Sequence, residues 1–221
     1  MTARDLDLRQ ALLRVLTLAL GLAVTLLFCL SNLPAQTPAP PPADPFSALL
    51  LSQAVGLPLL FLPALPWLLA GDRARLRRVF AWRAPDAPCF GLLPFLGHAV
   101  CLVAGAWALT DVAAGGATQT VVGLVGALTP LQKVALLPFV CGLGPLAEEL
   151  LYRGALADAL PRRAAPLLCA VLFALAHGPN AFCLPLFFVG LWLGLLVRRQ
   201  GALLPAVALH AAFNLPTLLL A

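Results

Sequence analysis

The sequence predicts an all-α fold, a polytopic membrane helix bundle of about seven transmembrane helices with a short re-entrant segment. Three observations carry that expectation. Hydrophobic residues make up 62% of the 221-residue chain and charged residues only 10%, against about a quarter charged in a soluble domain. Apolar runs of about 20 residues, enough to cross a hydrocarbon core roughly 30 Å thick, recur along the chain. The arginines gather between those runs, which is how loop charge orients a membrane protein. The formal charge of +5 lacks the basic stripe interleaved with aromatic residues that marks a nucleic-acid module. The expected surroundings are therefore a lipid bilayer, with no nucleic-acid partner.

The first apolar run, residues 12–30, follows Arg4 and Arg9 and carries Arg14 at its head. It is longer than the 7 to 15 residues of a signal-peptide core, so it reads as a retained helix rather than a secretory signal. Residues 34–45 hold six prolines and form a stiff, non-helical loop. The second span, 46–70, tolerates Pro58, Pro63 and Pro66 as kinks. A short loop crowded with Arg73, Arg75, Arg77, Arg78 and Arg83 follows, then a third span over 89–110. Residues 120–128 are apolar but too short to cross, which makes them the re-entrant or interfacial piece. A long helical stretch runs over 131–160, interrupted by Gly142, Gly144 and Pro145, and ends at Arg162 and Arg163. Three further spans cover 164–176, 181–197 and 203–220, the second ending at Arg198 and Arg199. Residues 1–130 thus supply amino-terminal helices and loops, and 131–221 the core that carries the chemistry, within one integral membrane domain.

Alternation of seven spans puts every arginine-rich connection on one side. The positive-inside rule makes that side cytoplasmic, with the amino terminus in and the carboxyl terminus out. Abundant Ala, Leu, Arg and Pro with the single Lys133 point to a GC-rich bacterial source, hence an inner, cytoplasmic membrane. Six scattered cysteines without a C-x-x-C pair read as small buried hydrophobes. The Gly190-x-x-x-Gly194 face in the sixth span reads as an intramolecular close-packing surface.

Only two glutamates occur in the chain, and they are adjacent: Glu148 and Glu149. Ionisable groups within a span are costly, face a protein interior or a watery cavity, and mark function. Arg153 stands four residues after Glu149, so the two can pair along one helical face. Glu148 is rotated about 100° away. At a rise of about 1.5 Å per residue, Glu149 and His177 each stand about 21 Å from Arg163 on successive antiparallel helices. His210 and Asn214 lie about 17 and 22 Å beyond Arg199 and share a face. Two acids, two histidines, an amide and an arginine are therefore expected to converge near mid-membrane. The alternative for the acids and Arg153 is a buried ion cluster that only joins helices. His98 has no partner at matching spacing, Phe173 reads as a packing ring, and Asp158 with Arg162 as a surface pair.

This set supports peptide hydrolysis without a nucleophilic side chain. Glu148 is the expected general base for a trapped water, with His177 orienting that water or passing the proton to the leaving amine. His210 and Asn214 would donate hydrogen bonds to the oxyanion. No G-x-S-x-G occurs, and the serines, Ser31, Ser47 and Ser52, lie far from the cluster in sequence.

The runs Glu148-Glu-Leu-Leu-Tyr-Arg153, Phe173-Ala-Leu-Ala-His177 and His210-Ala-Ala-Phe-Asn214 resemble the E-E-x-x-x-R, F-x-x-x-H and H-x-x-x-N motifs of the CAAX protease and bacteriocin-processing family, also called the ABI family. The resemblance covers residue 131 to the end, with the motifs in order on three spans. It implies an intramembrane endopeptidase acting on a membrane-embedded or lipid-proximal peptide or protein substrate: a CAAX tail, a bacteriocin-type precursor or a carboxyl-terminal sorting tail. It maps Glu148, His177, His210 and Asn214 onto the catalytic set, with Glu149 and Arg153 beside them. The family has been described both as metal-dependent and as glutamate-type. The H-E-x-x-H spacing of common zinc proteases is absent, so no cofactor is expected; zinc, if bound, would use His177, His210 and one glutamate. The competing functions are a proton-coupled transporter, against which the cluster has no inverted repeat, and a catalytically idle immunity or scaffold protein of the same fold.

Overall fold

The computed structural model describes residues 3–33, 42–71, 73–82, 124–178 and 183–220, among which there is no strand. Helix α1 spans Ala3–Ser31. Helix α2, Pro45–Ala70, is capped by Asp44, whose carboxylate accepts the backbone N–H groups of Phe46 and Ser47. It breaks after Phe61 and resumes at Ala64, at Pro63; Pro58 sits within the helix. A short α3, Arg73–Val79, follows. The long α4 covers Pro130–Ala159 and opens on a capping box in which Thr129 and Gln132 satisfy each other's backbone N–H groups. Helices α5 (Ala165–Ala176), α6 (Cys183–Gln200) and α7 (Leu204–Leu220) complete the bundle.

Four stretches are long and apolar enough to cross a bilayer: Leu8–Ser31, Pro45–Ala70, Pro130–Ala159 and Cys183–Gln200. Those over Ala165–Ala176 and Leu204–Pro216 are shorter. The span expected over 89–110, His98 and most of the Pro-rich loop lie outside the described residues. Of the short piece expected over 120–128, residues 124–128 are described. Val125 and Leu128 there are buried with Leu49, Leu136 and Leu218, so this piece closes one end of the bundle.

Helix α4 is the axis. Its Leu151, Tyr152 and Leu156 are wholly buried among Val24 of α1, Leu57 of α2, Phe173 of α5, Leu193 and Leu196 of α6 and Leu209 of α7. The outward faces carry exposed Leu12, Leu26 and Leu30 on α1 and Leu51 and Leu69 on α2. Apolar groups inside and out are what a bundle surrounded by hydrocarbon requires.

Within such a solvent helices gain little from hiding apolar surface, so close packing must hold them. Helix α6 meets α5 through the glycine face. A Cβ on Gly190 would stand 3.1 Å from the Arg153 guanidinium, 3.1 Å from the Phe173 ring and 3.2 Å from the Ala170 backbone. At Gly194 the nearest atoms, those of Pro166, would be 3.5 Å away, which is ordinary contact. The intramolecular role expected of this pair is the one it has. Gly190→Val should therefore destabilise the protein by about 1–3 kcal/mol through overpacking. Gly194→Ala should be neutral, or stabilising by roughly 0.5–1 kcal/mol as an ordinary helical substitution. Thermal unfolding in detergent distinguishes these outcomes, and equal losses at both positions would contradict the packing described.

Candidate active site

The site begins with an irregularity in α4. Residues Phe139–Leu143 and Leu150–Leu156 are wound as π-helix, with normal α-turns between and around them. In the first widened turn the Gly144 N–H bonds back to the Phe139 carbonyl. The next carbonyl, that of Val140, would look for an N–H at residue 144 or 145. The first is taken and the second is Pro145, which has none. Asn214 Nδ2 of α7 donates to that carbonyl at 3.0 Å. An orphan created by the α4 sequence is thus satisfied from another helix, and the two are pinned side by side.

One turn further, Glu149 is wholly buried and Arg153 is 4% exposed. The Arg153 Nη1 donates to Glu149 Oε1 at 2.9 Å, and its Nη2 to the Gly190 carbonyl at 3.1 Å. The guanidinium lies over the Phe173 ring, 4.5 Å from its centroid, a contact worth roughly 2 kcal/mol when desolvated. Glu149 Oε1 also meets His210 Nδ1 at 2.9 Å. A carboxylate already paired with arginine can only accept, so Nδ1 of His210 carries the proton and Nε2 faces the other way.

That other face looks at Glu148. The separation of His210 Nε2 from Glu148 Oε2 is 3.6 Å, beyond a hydrogen bond, and Oε2 has no hydrogen-bond partner although it is buried. The Glu148 side chain as a whole is 21% exposed, against 0% for Glu149. Adjacent acids therefore stand on opposite sides of one imidazole: Glu149 wholly buried with Oε1 bonded to both Arg153 and His210, and Glu148 partly exposed with no hydrogen bond to Oε2.

His177 ends α5. Its Nδ1 lies 2.8 Å from the Phe173 carbonyl. A carbonyl only accepts, so this ring nitrogen donates and Nε2 of neutral His177 is left as a lone-pair acceptor. The turn that holds it is tight: Gly178 has φ +90°, where a side chain is strained, and a Cβ there would meet the Asn32 carbonyl at 2.5 Å. Asn32 Nδ2, at the end of α1, donates to the Ala176 carbonyl at 3.0 Å.

Glu148, Glu149, Arg153 and His210 thus form one connected cluster. Asn214 is tethered a turn along α7. His177 joins through Phe173, whose ring centroid is 4.8 Å from that of His177 and 5.6 Å from that of His210. Phe173 does pack, as its sequence position suggests, but it packs between both imidazoles and under the arginine. Sequence reasoning missed Asn32 and Thr25, the latter 3.3 Å from the buried Tyr152 hydroxyl. Both lie in or just after an apolar run, and nothing in spacing separates them from ordinary helix residues. Among the described residues no group of three or more His, Cys, Asp or Glu side chains stands close enough to hold a metal ion.

Comparison with known proteins adds one finding. Residues 130–216 match the family model described as type II CAAX prenyl endopeptidase Rce1-like. No curated protein and no solved structure matches the chain. The matched segment, less than half of the chain, contains all three motifs and every residue of the cluster.

Proposed function

We propose that this chain is an intramembrane endopeptidase that uses Glu148 to activate water against a peptide bond of a membrane-associated substrate with a CAAX-like tail. The observation that carries the reading is the inequality of the adjacent acids: Glu149 is wholly buried and pinned through Oε1 by Arg153 and His210, while the Glu148 side chain is 21% exposed and its Oε2 has no hydrogen-bond partner. The family of the matched segment supports the class of substrate.

In this mechanism Glu148 takes a proton from water as the hydroxide attacks the scissile carbonyl. His177, with its Nδ1–H held by the Phe173 carbonyl, offers Nε2 to orient the water and then to carry the proton taken by Glu148 on to the departing amine, which leaves Glu148 ionised again. His210 in its doubly protonated form donates Nε2–H to the oxyanion, with the Glu149 carboxylate behind it to balance the charge. The Asn214 amide, anchored by one N–H on Val140, has a second N–H for the same oxygen. Glu149 and Arg153 are positioning residues. The chain's own side chains perform each step, and no metal enters.

Glu148→Gln should lower the turnover of a membrane-anchored CAAX-type peptide by ~10²- to 10⁴-fold, the range for loss of a general base, with thermal stability unchanged. Glu149→Gln should lose activity and stability together, by about 3–5 kcal/mol, because Arg153 is left as an uncompensated buried charge. Purified variants assayed for both properties test the division of labour; equal behaviour of the two would refute it.

Dialysis against a strong chelator should leave the cleavage rate of the purified protein unchanged. A loss restored by zinc would overturn the metal-free mechanism. In cells, mapping of protein termini in membranes from a Glu148→Ala strain should reveal a small set of proteins that keep an uncut tail. Unaltered termini with normal levels of the variant protein would sink the protease reading.

A further inference from the structure

The arginine that steadies the cluster also lines a cavity. This cavity, of about 260 Å³, opens at the end of the bundle where α4, α5 and α6 carry their arginines. Arg153 is among its lining residues at the inner end, and the exposed Arg162 and Arg198 are others. Between them run the apolar surfaces of Trp67, Val197 and Leu203. Three features point to an anionic, partly apolar ligand. The first turn of α5 lines the cavity through Ala165 and Pro166, which sets the positive end of that 12-residue helix beside the space, while the Ala164 and Ala165 N–H groups are bonded to the Pro161 carbonyl. Arg153, almost completely buried, has an Nε with no hydrogen-bond partner. The charges of the lining also leave a surplus: Arg153 is balanced by Glu149, and Asp158, also in the wall, offsets one of the two remaining arginines.

We propose that this cavity binds the phosphate of an anionic phospholipid, a phosphodiester of single negative charge, with the phosphate between Arg162, Arg198 and the amino-terminal turn of α5, and the first carbons of its tails against Trp67, Val197 and Leu203. The chemistry of a phosphate fixes the polar contacts, since arginine forks suit its oxygens. The mixed lining fixes the rest, because a bare ion would leave the apolar wall uncovered. This site is distinct from the Glu148 face of the cluster, and its occupancy does not depend on the chain being a protease.

The test uses the purified full-length chain in a neutral detergent. Thermal unfolding is followed with short-chain phosphatidylglycerol, short-chain phosphatidylcholine or inorganic phosphate, at matched ionic strength. Phosphatidylglycerol should raise the wild-type Tm in a saturable way, phosphatidylcholine should not, and Arg162→Gln/Arg198→Gln should lose at least half of the shift. Both side chains are exposed, so the variant is expected to fold; the single Arg162→Gln variant serves as a second reading with a smaller loss. If inorganic phosphate alone reproduces the full shift, the anion site stands and its occupant is free phosphate rather than lipid. Equal shifts by phosphatidylglycerol and phosphatidylcholine, no shift with any ligand, or an undiminished shift in the double variant would overturn the proposal.

Discussion

Oxygen Oε1 of Glu149 holds the site together, because it accepts from Arg153 Nη1 and His210 Nδ1 at once. A carboxylate at this depth survives only with its charge matched. The arginine that matches it must itself be satisfied, and Nη2 reaches the Gly190 carbonyl to that end. That reach is available because residue 190 has no side chain; a Cβ would meet both the guanidinium and the ring beneath it. The close approach of α6 to α5, the aromatic seat of the arginine and the orientation of His210 are therefore one constraint seen from three helices. Truncating one member of such a network costs more than its own bond, since each partner left behind is a buried polar group without a mate.

The same geometry explains why neighbouring acids can have different chemistry. Consecutive residues on a helix point about 100° apart, so Glu148 and Glu149 cannot share one set of partners. His210 enters between them and presents one nitrogen to each. Glu149 fixes which nitrogen carries a proton when the ring is neutral, and the ring then relays that choice to the side where Glu148 has a free oxygen. A single carboxylate would leave the imidazole either unoriented or without an acid on its other side.

Much of this was legible in the sequence. Two glutamates in an apolar chain, with an arginine one turn away, could not be solvated surface groups, and the level positions of His177 and His210 followed from helical rise alone. What spacing could not reveal was winding. The Gly142, Gly144 and Pro145 run reads as an interruption, whereas α4 continues through it by widening its turn. The consequence is chemical: Pro145 strips the Val140 carbonyl of its helical partner, and Asn214 takes that place. Hydropathy bounds α5 closely, at 164–176 against the observed Ala165–Ala176, about 18 Å at the usual rise, but gives no sign of what caps its end.

The shortness of α5 is what brings α1 into the site. A helix that stops within an apolar bundle exposes its last carbonyls where no water can satisfy them. Asn32 supplies the missing donor to Ala176, and Gly178 adopts the positive φ that lets the chain turn away against Asn32 without a collision. His177 sits between those two residues, so its ring is aimed by a cap that arrives from the far end of the sequence. Thr25, on the same helix, meets the hydroxyl of Tyr152, the neighbour of Arg153 on α4. Both contacts come from outside the segment that carries the family motifs. In the proposed mechanism the motifs supply the reacting groups, and the amino-terminal helix fixes the end of α5 on which one of them is mounted.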